Sequence, residues 1–537
     1  MDPVVYRFAV NKVGTQAELR TGDEGILSPG YYLLMFPNWL RDGSRTFSEA
    51  RRREIDGFAR EHLSGGSSAN LGRNLITRLL PASQESREVE SLNGLLERCG
   101  FDPESHEQIR ADLKAGRIGL AKNRLAADTV IEDVRKGDVT FAEKVDADAS
   151  ARGQAAIEHG QVLPVTLAAG SGSRWTSGAG TAKALYPFAK MQGSFRSFLE
   201  VHLAKSRRTG KAVGHFPPHV ITTSYLTHAP IEQALLRTKN YGYEGTIQLS
   251  PGRSIGLRMV PMARDLRFLW EEMAEQRLEE RKQKVRDSVR AALLGWVSAA
   301  GEGNDYRDNL PMQCLHPVGH WYEVANLMLN GTLRSLLQRH PTLSYLLLHN
   351  IDTLGASLDA NLLGQHIASG ATLSIEVIQR RIDDRGGGLA RVNGTVRLVE
   401  GLALPREEDE AKLGYYNTLT SWITIDPLLD LFGLTRDSLG DETRVRSGVR
   451  ALASRLPTYL TLKEVKRRWG NAQEDVFPVA QFEKLWGDMT GLSDVRSRFV
   501  VVHRQRGQQL KDVAQLDGWV RDGSMAYVEE LADFGPG

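Results

Sequence analysis

A short, mainly apolar run, Val162–Leu167, passes without a spacer into a turn of small residues, Ala168-Ala-Gly-Ser-Gly172, and this junction constrains the fold more than any other stretch. Such a run suits a strand buried on both faces, the kind found in parallel sheets covered by helices on either side. Further apolar runs at 219–223, 246–249, 343–349 and 372–378 alternate with amphipathic stretches. That texture predicts βα units around a mostly parallel sheet. The small-residue turn leaves backbone N–H groups unscreened, so an anionic phosphate chain can lie on them, with Lys183 as a mobile positive charge nearby. Taken alone the turn is a weak signal, because most Gly-rich turns bind nothing.

At 537 residues the chain is too long for one ordinary core. Residues 1–155 read as mainly helical, through 46–63, 88–98 and 104–114. A central α/β domain is expected over 156–435 and a small α+β unit over 436–537. Asn393-Gly394, in the middle of 389–400, is the preferred pair for a type I′ hairpin turn, because both central residues need positive φ. Residues 262–300 read as one or two long charged helices. The balance of 68 Lys and Arg against 66 Asp and Glu gives no global field for holding a nucleic acid backbone. Two cysteines, Cys99 and Cys314, lack zinc-site spacing and suit a reducing compartment. The start of the chain has no sustained apolar h-region, and apolar runs fall far short of the roughly 20 residues a spanning helix needs. A cytoplasmic protein without membrane or nucleic acid partners is the expectation.

Asp352 follows the run 343–349, and a carboxylate just past the carboxyl end of a parallel strand points into the ligand crevice of an open sheet. Holding Mg²⁺ there and starting an Asx turn are equally good readings of the residue alone. The whole set of motifs decides between them. The segment 167–188, with its Lys183-Ala-Leu-Tyr-Pro-Phe188 end, resembles the nucleotide loop of the eukaryotic-type UDP-glucose pyrophosphorylase family, and Asn350-Ile-Asp-Thr-Leu-Gly-Ala-Ser-Leu-Asp359 is similar to its metal-binding motif. Further resemblances follow in the family's order at Gly116–Arg124, Ile221–His228, Pro317–Tyr322, Arg381–Leu389, Val396–Glu400, Tyr416–Trp422, Val479–Leu485 and Arg496–His503, so that they span about 115–510.

The resemblance implies a Rossmann-like, GT-A-like nucleotidyltransferase that moves UMP from UTP to a sugar 1-phosphate, glucose 1-phosphate first, with Mg²⁺ on Asp352. It implies catalytic roles for Lys183, Arg174 and Asp352. The nucleotide falls to Leu167, Ala168, Ala169, Gly170, Gly172, Lys183, Gln248 and Gly319, with Gln248 and Gly319 selecting uracil. The sugar phosphate falls to His320, Asn350, Gly387, Glu400 and Asn417, where Gly386 and Gly387 allow close backbone approach and the Glu400 carboxylate accepts from two hydroxyls. His503 stands where the family has a phosphate-binding lysine, with Arg504 beside it, and either could take that place. Leu419 and Thr420 replace two asparagines of the family's motif. An N-acetylhexosamine or uronic acid 1-phosphate is therefore an alternative substrate, and a catalytically weak UDP-sugar-binding regulator is a second alternative. With only about 30 residues after 510, the family's C-terminal β-helix is not expected, and the oligomeric state is open.

Overall fold

A computed structural model describes residues 91–535 except 145, 171, 173–174, 176–181, 273–279 and 471–472. The expected helix at 46–63 and Arg174 lie outside the described residues. The strands that matter below are β1 (Val162–Leu167), β2 (His219–Thr223), β3 (Ile247–Pro251), β4 (Tyr345–Asn350), β5 (Leu373–Gln379), β6 (Gly388–Val392), β7 (Thr395–Val399), β8 (Tyr415–Thr424), β9 (Tyr459–Gly470), β10 (Gln473–Glu483) and β11 (Ser497–Val501). In the main sheet the order is β11-β5-β8-β4-β1-β2-β3. All of these run in one direction except β8, which lies antiparallel between β5 and β4. The mixed, mostly parallel sheet is thus as expected.

Burial explains why the runs become strands. Every residue of β1 is buried, and alternate residues of β4 enter different cores. Leu346 and Leu348 pack with the helices Trp321–Leu329 and Glu442–Ser454 on one face, whereas Leu347 packs with Ala147–Glu158 and Ala360–Ser369 on the other. Period-two alternation into two apolar layers is what a sheet covered on both faces requires.

The hairpin expected at 389–400 forms as β6 and β7, and Asn393 and Gly394 both take positive φ, +48° and +85°. Because β6 also pairs with the start of β8, through Gly388 with Tyr416 and Leu389 with Tyr415, the hairpin carries Glu400 toward Tyr416 and Asn417. The expected helices at 262–300 appear as Ala263–Glu272 and Glu280–Ala300. Residues after 436 do not share one sheet of their own. β9 and β10 form a separate hairpin, while β11 finds its ladder partner in β5 of the main sheet.

Candidate active site

The carboxyl ends of β1, β2 and β4 lie on one edge of the sheet, with Leu167 opposite both Thr222 and Asn350. Past β4 the chain turns sharply: the Ile351 N–H donates to Leu167 O (3.0 Å) and the Thr353 N–H to Asn350 O (3.0 Å). Asp359 then caps the helix Ala360–Ser369 by accepting from the N–H groups of Asn361 and Leu362. This turn holds Asp352 beside the end of β1, where Lys183 arrives from the loop. Lys183 Nζ lies 2.7 Å from Asp352 Oδ1, and the two side chains are 4% and 14% exposed. The same Nζ donates to Leu510 O (2.5 Å) and sits over the rings of Trp175 and Phe198 at 4.9 and 4.8 Å. Gly172 has φ +68°, and a Cβ there would stand 2.4 Å from Lys183 Cβ, so only glycine lets the loop close over the lysine stem.

The loop amides are not all free for phosphate. The Ala168 N–H donates to Thr222 Oγ1 (3.1 Å) and the Ala169 N–H to Glu323 Oε2 (3.4 Å). Gly170 is exposed with open space around its Cα. Glu323, on the first turn of Trp321–Leu329, also accepts from the Thr222 hydroxyl. Burial raises its carboxyl to about 7, against the pull of those two hydrogen bonds. Nothing in the sequence singles out Glu323, because a glutamate in a first helical turn reads as a partner of the helix dipole.

At the sugar end of the expected site, Glu400 lies between two glycines. A Cβ on Gly387 would come within 3.2 Å of Glu400 Oε2, and one on Gly487 within 2.7 Å of Oε1. Oε1 is buried without a hydrogen-bond partner, and burial, then the charge of Asp488, raise the carboxyl to about 7 while Lys511 lowers it. Asp488 itself is raised to about 6 by burial and accepts from Tyr459 OH (3.0 Å). His320 Nδ1 accepts from the Trp486 N–H (3.0 Å), and burial, then Lys511, bring its imidazole down to about 4. Gly319, φ +94°, packs on the Lys484 backbone, where a Cβ would meet the Lys484 carbonyl oxygen at 2.2 Å. Asn350 ends β4, half-buried. Asn417 Oδ1 accepts from the Leu419 N–H (2.9 Å) within a bulge of β8, where the register on β5 shifts and Leu419 takes φ +56°. Thr420 Oγ1 is buried without a partner.

Three expected residues have other partners in this structure. Gln248 is the second residue of β3, level with Val220, so it lies about 10 Å short of the carboxyl edge. Its Oε1 accepts from Arg339 (3.0 Å), and it is not available to a base in the crevice. His503 meets Tyr527 edge-on at 4.7 Å, and partial burial, then the charge of Arg506, lowers its imidazole. Arg504 is held by both Asp384 oxygens at 2.7 and 2.9 Å. The cause is local: the chain leaves β11 at Val501 and turns into the short helix Arg504–Gly507, so strand alternation does not apply at 503 and 504.

Sequence reading also missed Lys511. It follows Leu510, whose N–H donates to Asp352 O (2.9 Å), and its Nζ donates to Tyr416 OH (2.7 Å). No periodicity or motif distinguishes this lysine, which the fold returns to the crevice beyond the helix.

Residues 305–443 match the family model described as UTP--glucose-1-phosphate uridylyltransferase. Over 121 residues the chain is 32% identical to the UTP--glucose-1-phosphate uridylyltransferase of Saccharomyces cerevisiae, covering 21% of this chain and 24% of the relative. Over 119 residues it is 31% identical to a probable UTP--glucose-1-phosphate uridylyltransferase of Schizosaccharomyces pombe, covering 21% and 23%. The chain thus spans about a quarter of the length of these curated relatives. A mutant UDP-glucose pyrophosphorylase from Leishmania major in complex with UDP-Glc is similar in structure, with TM-score 0.54 and 16% identity, over 80% of this chain and 79% of that one. A UDP-glucose phosphorylase from Trypanosoma brucei has TM-score 0.51 and 18% identity, over 79% and 78%. At these identities the structural likeness establishes the fold.

Proposed function

We propose that this chain, a member of the UTP–glucose-1-phosphate uridylyltransferase family through residues 305–443, transfers UMP from UTP to a sugar 1-phosphate, glucose 1-phosphate first, and releases pyrophosphate. The observation that carries the reading is the Lys183–Asp352 pair at the carboxyl edge of β1 and β4, with the buried, unpartnered Glu400 oxygen on the hairpin. A phosphate oxygen of the sugar 1-phosphate attacks the α-phosphorus of UTP, and the bond to the leaving pyrophosphate breaks with its electron pair. The nucleophile is already ionised near neutral pH, so no general base is needed. The protein's work is to bring two polyanions together and neutralise them.

Lys183 meets the phosphates as a cation, and Gly170 offers an open stretch of loop beside it. Glu400, Asn350, His320 and Asn417 would receive the sugar hydroxyls and phosphate. No group of three metal-ligating side chains exists among the described residues. One carboxylate nevertheless suits Mg²⁺, which keeps several waters and takes its other ligands from phosphate oxygens. Asp352 would hold the ion, and the ion would supply charge neutralisation on the triphosphate. No helix among the described residues is long and apolar enough to cross a membrane. Both cysteines are buried and neither forms a disulfide, which supports a reducing, cytoplasmic setting.

The test is pyrophosphate release with UTP and a panel of sugar 1-phosphates. Turnover with glucose 1-phosphate is expected, and none with any member of the panel would overturn the reading. The second reading, an N-acetylhexosamine or uronic acid substrate, rests on Leu419 in the left-handed region and on the unpartnered Thr420 hydroxyl. A preference of at least tenfold for either sugar over glucose 1-phosphate would favour it.

A further inference from the structure

Chemistry that joins two polyanions calls for more than one cation, and Lys183 shares its charge with Asp352. The positions after β11 where such a cation is expected do not supply it. The His503 ring stands edge-on to Tyr527 and has its pKa held below the ordinary value, and both Asp384 oxygens hold Arg504. Arg506 points inward to Glu376 at 2.8 Å, with exposures of 3% and 0%.

The next cation along the chain behaves differently. Leu510 lies against the site through both backbone groups, its N–H on Asp352 O and its carbonyl oxygen on Lys183 Nζ. Lys511 is therefore one residue, about 3.8 Å in Cα spacing, from the anchor of that pair. Its backbone N–H is fixed by Gln515 Oε1 (2.7 Å), and the preceding Gln509 side chain donates to Asn417 O (3.0 Å). Nζ reaches Tyr416 OH at 2.7 Å and lies 5.2 Å from that ring's centroid. Arg380 braces the ring from its own position, at 5.3 Å, while donating to the carbonyl oxygens of Gly386 and Gly387. Lys511 makes no ion pair with any described residue, although its charge is felt at both Glu400 and His320. A half-buried lysine with one neutral hydroxyl partner, between the Lys183–Asp352 pair and Glu400, can exchange that hydroxyl for a phosphate oxygen at little cost.

We infer that Lys511 is the cation that meets the phosphate of the sugar 1-phosphate as it joins the α-phosphorus of UTP, releasing Tyr416 OH to do so. The inference rests on the uridylyl-transfer reading. It adds no proton transfer: the new P–O bond forms, the bond to pyrophosphate breaks, and the ammonium only offsets charge.

The experiment measures pyrophosphate release by the full chain and by Lys511→Met, Lys511→Arg and His503→Ala, with thermal unfolding of each. Lys511→Met should lower kcat/KM for the sugar 1-phosphate at least a hundredfold while its melting temperature stays within a few degrees. Lys511→Arg should recover at least tenfold of that loss, which a purely structural role would not produce. Binding of uridine, which carries no phosphate, should change less than twofold in Lys511→Met. Turnover by the parent chain with Lys511→Met within threefold of it overturns the inference and leaves the functional reading intact. So does a loss in His503→Ala matching that of Lys511→Met without rescue by arginine. No turnover by the parent chain with any sugar 1-phosphate overturns both.

Discussion

Glu323 shows how one carboxyl can set the pH response of a phosphate site. It sits against the Ala169 N–H and the Thr222 hydroxyl, and burial holds its carboxyl at about 7. Above that pH it places an anion beside the loop proposed for UTP, so KM for UTP should rise several-fold between pH 6 and pH 8. Glu323→Gln keeps an acceptor for both donors and removes the charge. UTP titrates in the same range, but identically for both proteins, so the ratio of their KM values isolates the residue. That ratio should grow with pH, and a constant ratio would exclude Glu323. Because the folded carboxyl is raised above its unfolded value, its ionisation costs stability as pH rises through about 7. Glu323→Gln should therefore unfold at a higher temperature than the parent at pH 8. The resemblance of 167–188 and 350–359 to motifs of one family was enough to bring Lys183 and Asp352 forward as partners in one site, and they meet at 2.7 Å. It was not enough for Gln248. Whether an amide stands at the start or the carboxyl end of a strand depends on where the strand begins and on its register, and β3 begins at Ile247.

Between elements, the buried pair of Arg506 and Glu376 joins the segment after β11 to the middle of β5. Glu376 accepts from Arg506 through both oxygens, at 2.8 and 2.9 Å, and also from Trp422 Nε1 (2.9 Å). Arg506 also donates to the Ser357 carbonyl, in the turn that follows Asp352. Glu376→Ala leaves a guanidinium buried without a counter-charge, and should cost about 3–5 kcal/mol in chemical denaturation. Glu376→Ala combined with Arg506→Met should recover much of that loss, and a double variant no better than the single would show that the pair is not the source. This contact also shapes the cations that follow β11. Sequence resemblance brought forward His503 and Arg504, whereas the chain turns at His503 so that Arg506 faces inward and Lys511 returns to the crevice. The strand runs themselves were legible because apolar burial on two faces writes a direct signal into the sequence. The hairpin turn was legible because Asn393 and Gly394 must both adopt positive φ. Return paths after a strand depend on long-range partners such as Glu376 and Asp352, which local pattern does not encode.

Across the whole molecule, buried titratable groups set the pH window of stability. His202, His219 and His349 cluster beneath the sheet: His202 and His349 stack at 4.5 Å, and Thr166 Oγ1 contacts His219 (2.8 Å) and His349 (3.2 Å). Burial, then the charge of Lys205, lowers His202, His219 and His349, with His219 at about 3. Elsewhere burial brings His316 to about 3 and His366 to about 4. A histidine whose folded pKa lies below its unfolded value of about 6.5 contributes stability above 6.5, and that stability is lost as pH falls toward the folded pKa. Glu323 and Glu400, at about 7, and Asp488, at about 6, act in the opposite sense and cost stability as pH rises through those values. Between about pH 5 and 6.5 the histidines outnumber these carboxyls, so stability should rise with pH there. Above about 7 the histidines and these carboxyls have both finished titrating, so their contributions no longer change with pH. Denaturation curves across pH 5 to 9 should accordingly rise steeply from the acid side and level off above neutrality. His219→Gln can still bond Thr166 but cannot take up the proton, so it should flatten the acid slope by up to about 1.4 kcal/mol per pH unit. An acid slope unchanged in that variant would place the acid lability outside the His202–His219–His349 cluster.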